Sequence, residues 1–278
     1  MLDGSLIPAM HIPDGFMSPR IALLGWLLAV PAVGWALWPR SDEEEGETSL
    51  AALLAAFLFA AQTFHFPVPG GTSGHLVGAT LVVILCGARM GLTILAAVII
   101  LQAIVFGDGG LYTLGWNLTN MGLASGLVGG ALYQQMRRRG LPVFGSAFVA
   151  AWVGTQMGAL CTAMELSLAG VTPLKVSLAA MMAVQAVMGL GEGLVTASAV
   201  SFLLRVRPNL VSQKDKLVWP GLAVVCAVGI CSAVPPSFYG DDSIGSAAAF
   251  VFLAILLIAV LSAGVLSLFR RSDGRKDG

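Results

Sequence analysis

Residues 75–106 read "HLVGATLVVILCGARMGLTILAAVIILQAIVF", and Arg89 is the one fully charged side chain among them. About 20 mostly apolar residues span a bilayer core as helix. The run is therefore long enough for two crossings, and Arg89 divides it into spans at 75–88 and 90–106, the first unusually short. Working outward, apolar runs recur at 21–38, 49–64, 117–136, 143–169, 176–204, 217–236 and 247–269, which makes nine spans. Of the 278 residues 57% are hydrophobic and 11% charged, against about 25% charged in soluble domains. The expected fold class is an all-α polytopic membrane protein.

Lys+Arg and Asp+Glu both number 15, so no basic excess is available for nucleic acid. Cys86, Cys161, Cys226 and Cys231 lie in apolar stretches without CxxC spacing and read as small buried hydrophobes. Positive charge alternates between connections. Arg40, Arg89, Arg137–Arg139, "RVRPNLVSQKDK" and the terminal "RRSDGRKDG" fall on one side, while "HFPVPGGTSGH", "GDGGLYTLGWN" and "PPSFYGDDSIGS" have no Lys or Arg and "GVTPLK" has only Lys175. The positive-inside rule then places the N-terminus outside and the C-terminus in the cytoplasm of a cytoplasmic (inner) membrane. "SDEEEG" at 41–46 reads as a solvated cytoplasmic loop. No GxxxxGK[ST] loop occurs, so ATP-driven work would fall to a separate protein.

All three histidines, His11, His65 and His75, map to the outer side. In "HFPVPGGTSGH" the prolines stiffen the backbone and the glycines permit sharp turns, so the loop can fold inward and hold His75 at the mouth of the short span. A surface loop whose histidines merely meet water is the plain alternative. "MHIPDGF" at 10–16 adds chelate geometry. If Met10 were the mature N-terminus, its amine, the His11 amide and the His11 Nδ1 would close five- and six-membered rings on one metal, leaving a planar position for a second imidazole. A planar nitrogen set suits Ni(II) and Cu(II), with Co(II) also possible. Pro13, Asp14 and Gly15 would turn the chain directly afterwards.

"MHIPDGF", "FPVPGGTSGHLVG", "FGDGGLYTLGWNLTNM" and "GLGEGLVT" together resemble the CbiM/NikM family, the substrate-binding (S) components of energy-coupling-factor transporters for cobalt and nickel. The resemblance covers residues 10–207 and implies a seven-helix S-component bundle. It implies metal ligands Met10, His11 and His75, with Co(II) or Ni(II) as the transported ion and no organic cofactor. It implies as partners a transmembrane coupling (T) protein and two ATPase subunits. His65 is not carried over and is a second-sphere or entry candidate. The spans at 217–236 and 247–269, within residues 208–278, look like the small two-helix N component fused to the M part. Residues 1–9 are expected to be a leader or a misassigned start, because the family's first methionine falls on Met10.

Asp108 is a candidate for attracting cations, although a plain turn is the simpler reading. Asn117 and Asn120 are candidates for supporting the metal loop. Glu165 and Glu192 are intramembrane carboxylates expected to make inter-helical hydrogen bonds, with Glu192 set on the cytoplasmic half of its span and serving packing or reorientation. In the first helix Ala22, Gly25, Ala29, Ala32 and Ala36 make a small-residue face. The resemblance implies that this region docks on the coupling protein; internal packing is the alternative. Two rival functions fit the sequence less well. An intramembrane metalloenzyme needs a set such as HExxH, which is absent, and a secondary metal transporter predicts matching broken helices in two halves.

Overall fold

The computed structural model describes residues 10–38, 45–64, 66–68 and 72–206. The leader, His65 and the two-helix extension at 208–278 lie outside the described residues. Helix α1 spans Pro19–Leu37, α2 Glu45–Thr63, α3 Ala79–Val105, α4 Leu114–Leu118, α5 Val128–Arg138, α6 Val143–Leu168 and α7 Leu174–Val206. A π-helical stretch, Thr119–Leu127, joins α4 to α5. An antiparallel hairpin, β1 Phe66–Val68 with β2 Thr72–Gly74, interrupts the helical pattern, pairing Phe66 with Gly74 and Val68 with Thr72.

By length and hydropathy α1, α3, α6 and α7 can each cross a membrane, and Ser49–Thr63 is a shorter apolar helix. However, α3 is not one straight rod. Gly87 has φ 80° and ψ 173°, outside helical space. A Cβ on Gly91 would stand 2.9 Å from the Cα of Val83. In a continuous helix, residues eight apart are separated by about 12 Å. The chain therefore reverses at Gly87, and a short helix lies back against a longer one. The division at residues 88–90 read from the sequence coincides with this reversal. Just beyond it, Arg89 donates to the carbonyl of Trp38 and stacks 5.5 Å from the Trp35 ring centroid, so the reversal sits at the C-terminal end of α1.

Helix ends follow local chemistry. Ser18 caps α1 ahead of Pro19, its hydroxyl accepting from the Ile21 amide at 3.5 Å. The end of α5 carries Arg137 and Arg138 in its last turn, favourable at the negative helix end, and Gly140 at φ 76° follows. The end of α6 has Gly170 at φ 71° and then Pro173.

Small residues let backbones meet. Cβ atoms on Gly25 and Gly115 would lie 2.6 Å from the Trp116 amide and 2.4 Å from the Trp26 amide, so α1 crosses α4 almost backbone to backbone. Trp116 Nε1 locks the crossing by donating to the Ile21 carbonyl at 2.8 Å. Ala22, Gly25, Ala29 and Ala36 are all buried, Ala36 in a cluster with Val83, Ala88 and Leu92 of α3. The small-residue face of α1 is thus used inside the chain, and Leu23, Leu27, Val30 and Leu37 make its exposed apolar side. Of the two readings of the small face, internal packing is the one the structure shows. Gly154 and Gly129 likewise bring α6 and α5 against Thr80 at the start of α3.

Candidate metal centre

The chain comes to the surface at Pro13 and Asp14, and before them Met10, His11 and Ile12 are all buried. The reason is a set of polar contacts with the turn 108–117. Ile12 N–H donates to Asn117 Oδ1 at 2.8 Å, and Asn117 Nδ2 donates back to the Ile12 carbonyl at 3.2 Å. That carbonyl also accepts from the Gly110 amide at 2.9 Å and from the Thr113 hydroxyl. Asp14 completes the dock, its carboxylate accepting from the amides of Leu111 at 2.9 Å, Tyr112 at 2.8 Å and Thr113 at 3.3 Å. One short acidic side chain satisfies three amides that have no helical partner at the entry to α4.

The "GDGG" turn has to be glycine-rich to admit this segment. A Cβ on Gly110 would fall 2.0 Å from Asp14 Oδ1, and one on Gly109, at φ 82°, would fall 2.7 Å from Asn117 Nδ2. The Met10 side chain ends against Gly158 of α6, whose added Cβ would stand 2.6 Å from Met10 Cε.

The hairpin delivers His75 to the same place. His75 is buried immediately after β2, and its ring meets that of His11 edge-on, with centroids 4.8 Å apart and planes at 84°. His75 Nδ1 lies 3.1 Å from the Leu76 carbonyl. His11 Nδ1 lies 3.3 Å from Asp108 Oδ1 and 3.4 Å from the Asp108 carbonyl, whereas its Nε2 is buried with no hydrogen-bond partner among the described residues. Asp108, half-buried at 24% side-chain exposure, thus puts a carboxylate directly against an imidazole. No group of three or more His, Cys, Asp or Glu side chains able to hold a metal occurs among the described residues.

The remaining candidates separate. Asn117 touches the residue next to His11, while Asn120 instead donates to Glu165 Oε2 at 2.6 Å, both buried. Glu192 is not remote from the histidines. Its two carboxylate oxygens accept from the amides of Val77 at 2.8 Å and Gly78 at 2.5 Å, two and three residues beyond His75. Glu192, expected on the cytoplasmic half of its span in a packing or reorientation role, thus binds the loop that carries His75, and α7 runs past that loop. Sequence reading gave Asp14 only a place in a turn and did not connect Gln62 with the loop that carries His75. Gln62 Nε2 donates to the Val77 carbonyl at 2.6 Å. The signal for Asp14 was present, since an acid between Pro13 and Gly15 is free to cap amides elsewhere.

Comparison with known proteins identifies the family of the chain. Residues 11–210 match the family model CbiM, described as the cobalt uptake substrate-specific transmembrane region. The chain is 31% identical over 258 residues to the fused nickel transport protein NikMN of Rhodobacter capsulatus, covering 81% of this chain and 73% of that protein. It is 32% identical over 216 residues to the cobalt transport protein CbiM of Geobacter sulfurreducens, covering 74% of this chain and 62% of that protein. A truncated transition metal transporter of known crystal structure superposes with a TM-score of 0.65 at 33% identity, covering 70% of this chain and 98% of the other. With a family match across the segment that carries both facing histidines, this chain belongs to the CbiM family.

Proposed function

We propose that this protein is the substrate-specificity component of an ATP-driven energy-coupling-factor importer, which takes Co(II) or Ni(II) from the outer face of the cytoplasmic membrane. A coupling protein and two ATPase subunits would supply the work. The observation that carries this reading is the pair of buried imidazoles from distant parts of the chain, His11 and His75, meeting at 4.8 Å. Desolvating two such groups against each other is costly unless something binds between or beside them.

Two histidines supply two donors, and a four-donor planar site then draws on main-chain nitrogen. The amide of His11 and the amine of Met10 are in line for that role once Met10 is the first residue. Asp108 adds negative charge beside His11, which favours a cation over a neutral solute. Asn117 and Asp14 hold the segment that carries His11. Oxygen-loving Mg(II) and Ca(II) are disfavoured by imidazole and amine donors.

Replacing His75 with Ala tests the reading. High-affinity Ni(II) and Co(II) binding, measured by titration calorimetry on purified protein, is expected to disappear while helical content is kept. A folded His75→Ala protein with wild-type affinity would show that the site lies elsewhere.

A further inference from the structure

The loop that carries His75 is gripped from two sides, each time by residues four apart on one helix face. On α2, Gln62 Nε2 donates to the Val77 carbonyl at 2.6 Å, and Leu58 lies where a Cβ on Gly78 would be, 2.9 Å from its Cδ1. On α7, Glu192 takes the Val77 and Gly78 amides, and Met188 packs on Gly74, directly before the histidine, with Cγ 2.8 Å from a Cβ placed there. Spacing of four residues puts both members of each pair on the same stripe of the helix. Gly78 is at φ 67°, so the chain turns into α3 with no side-chain cap of its own. Glu192, from another helix, caps it instead, at the end of α3 where negative charge is favoured.

We propose that α2 and α7 form a clamp on residues 74–78, and that Glu192 is the positioning residue that fixes the His75 imidazole for metal binding. This rests on the reading of His75 as a ligand. Glu192 does not reach the metal. It acts through two peptide groups, and it needs both carboxylate oxygens to do so. A glutamine offers one acceptor oxygen and turns an NH2 toward the other amide, so one N–H loses its partner and the peptide rotates away. A movement of the Val77 and Gly78 peptides carries His75 with it because only Leu76 intervenes. The clamp also joins the metal loop to α7, which packs along the length of α6, so occupancy of the site and the position of α7 are mechanically linked.

The test is Ni(II) titration of the full-length chain in lipid nanodiscs, together with the melting temperature of each metal-free variant. Glu192→Gln is expected to weaken affinity about 10- to 100-fold, the range found when outer-sphere partners of metal ligands are removed. Glu192→Asp, which keeps two acceptor oxygens on a shorter arm, is expected to recover part of that loss. A purely structural residue would lower the melting temperature of the metal-free protein yet leave the folded protein's affinity unchanged. That result in Glu192→Gln, with binding abolished in His75→Ala, overturns the clamp. Wild-type affinity in His75→Ala overturns the ligand reading instead. If Glu192→Gln does not fold, Gln62→Leu, which removes the donor to the Val77 carbonyl, is read in its place. A loss of affinity in it supports the clamp, and wild-type affinity overturns it.

Discussion

At the scale of single residues, the site is built by side chains that serve peptide groups. Ile12 shows why. Its carbonyl has three donors, but its N–H has one acceptor among the described residues, Asn117 Oδ1. Asn117→Ala orphans that buried N–H, a cost of about 1–3 kcal/mol. The expected outcome is release of residues 10–14, seen as faster proteolysis near Phe16 and loss of Ni(II) affinity. Asn117→Asp keeps the acceptor and is expected to lose less. Gly110→Ala drives a methyl group into Asp14 and is expected to lose binding as fully as Asn117→Ala. A second expectation concerns protons. Imidazole, amine and amide must all give up protons to a metal, so affinity should rise with pH. A flat profile from about pH 6 to 8, through the ordinary ranges of imidazole and amine, would argue against main-chain nitrogen in the site.

At the scale of elements, "GLGEG" shows how one motif divides its tasks. Gly189 and Gly193 admit Trp152 and Phe148 of α6, with Cβ atoms that would stand 2.9 Å and 2.8 Å from those rings. Glu192 points to the loop that carries His75, and Gly191 has open space around it. Gly193→Ala is therefore expected to lower the melting temperature, with overpacking costing about 1–3 kcal/mol. Gly191→Ala is expected to be neutral or stabilising, since alanine suits a helix interior better by up to about 1 kcal/mol. Equal effects from the two variants would contradict the α6–α7 packing. The reversal at Gly87 is also an element-scale feature. It was legible as a break in an apolar run with an arginine in it, but the closeness of the two halves was not. Hydropathy records length and polarity, and carries no information about which backbone lies against which.

At the scale of the whole molecule, the charge pattern predicts an orientation that labelling can check. Tyr112 lies in the turn beside His11 and is 68% exposed, while Leu141 follows the Arg137–Arg139 run and is 41% exposed. In a cysteine-free background, a membrane-impermeant maleimide added outside intact cells is expected to label Tyr112→Cys and to leave Leu141→Cys unlabelled until the cells are opened. The reverse pattern would invert the topology and put the facing histidines on the cytoplasmic side.

What the sequence alone determined was the class of protein and which residues are candidate metal ligands. A membrane-spanning helix must be apolar over its whole length, so composition exposes it directly, and a histidine beside a methionine or a glycine-rich hairpin stands out in a chain with only three histidines. Tertiary structure decided how those residues are held. His11 and His75 are separated by 64 positions in sequence and by 4.8 Å between ring centres. Asp14 and Glu192 act on amides 97 and 115 residues away, respectively. The small face of α1 was equally suited to an outside partner or to the interior, and only the fold set it against α4 and α3. Side-chain chemistry is local and can be read one residue at a time. Hydrogen bonds to a distant backbone depend on where the chain returns, and that is fixed by the packing of the whole bundle.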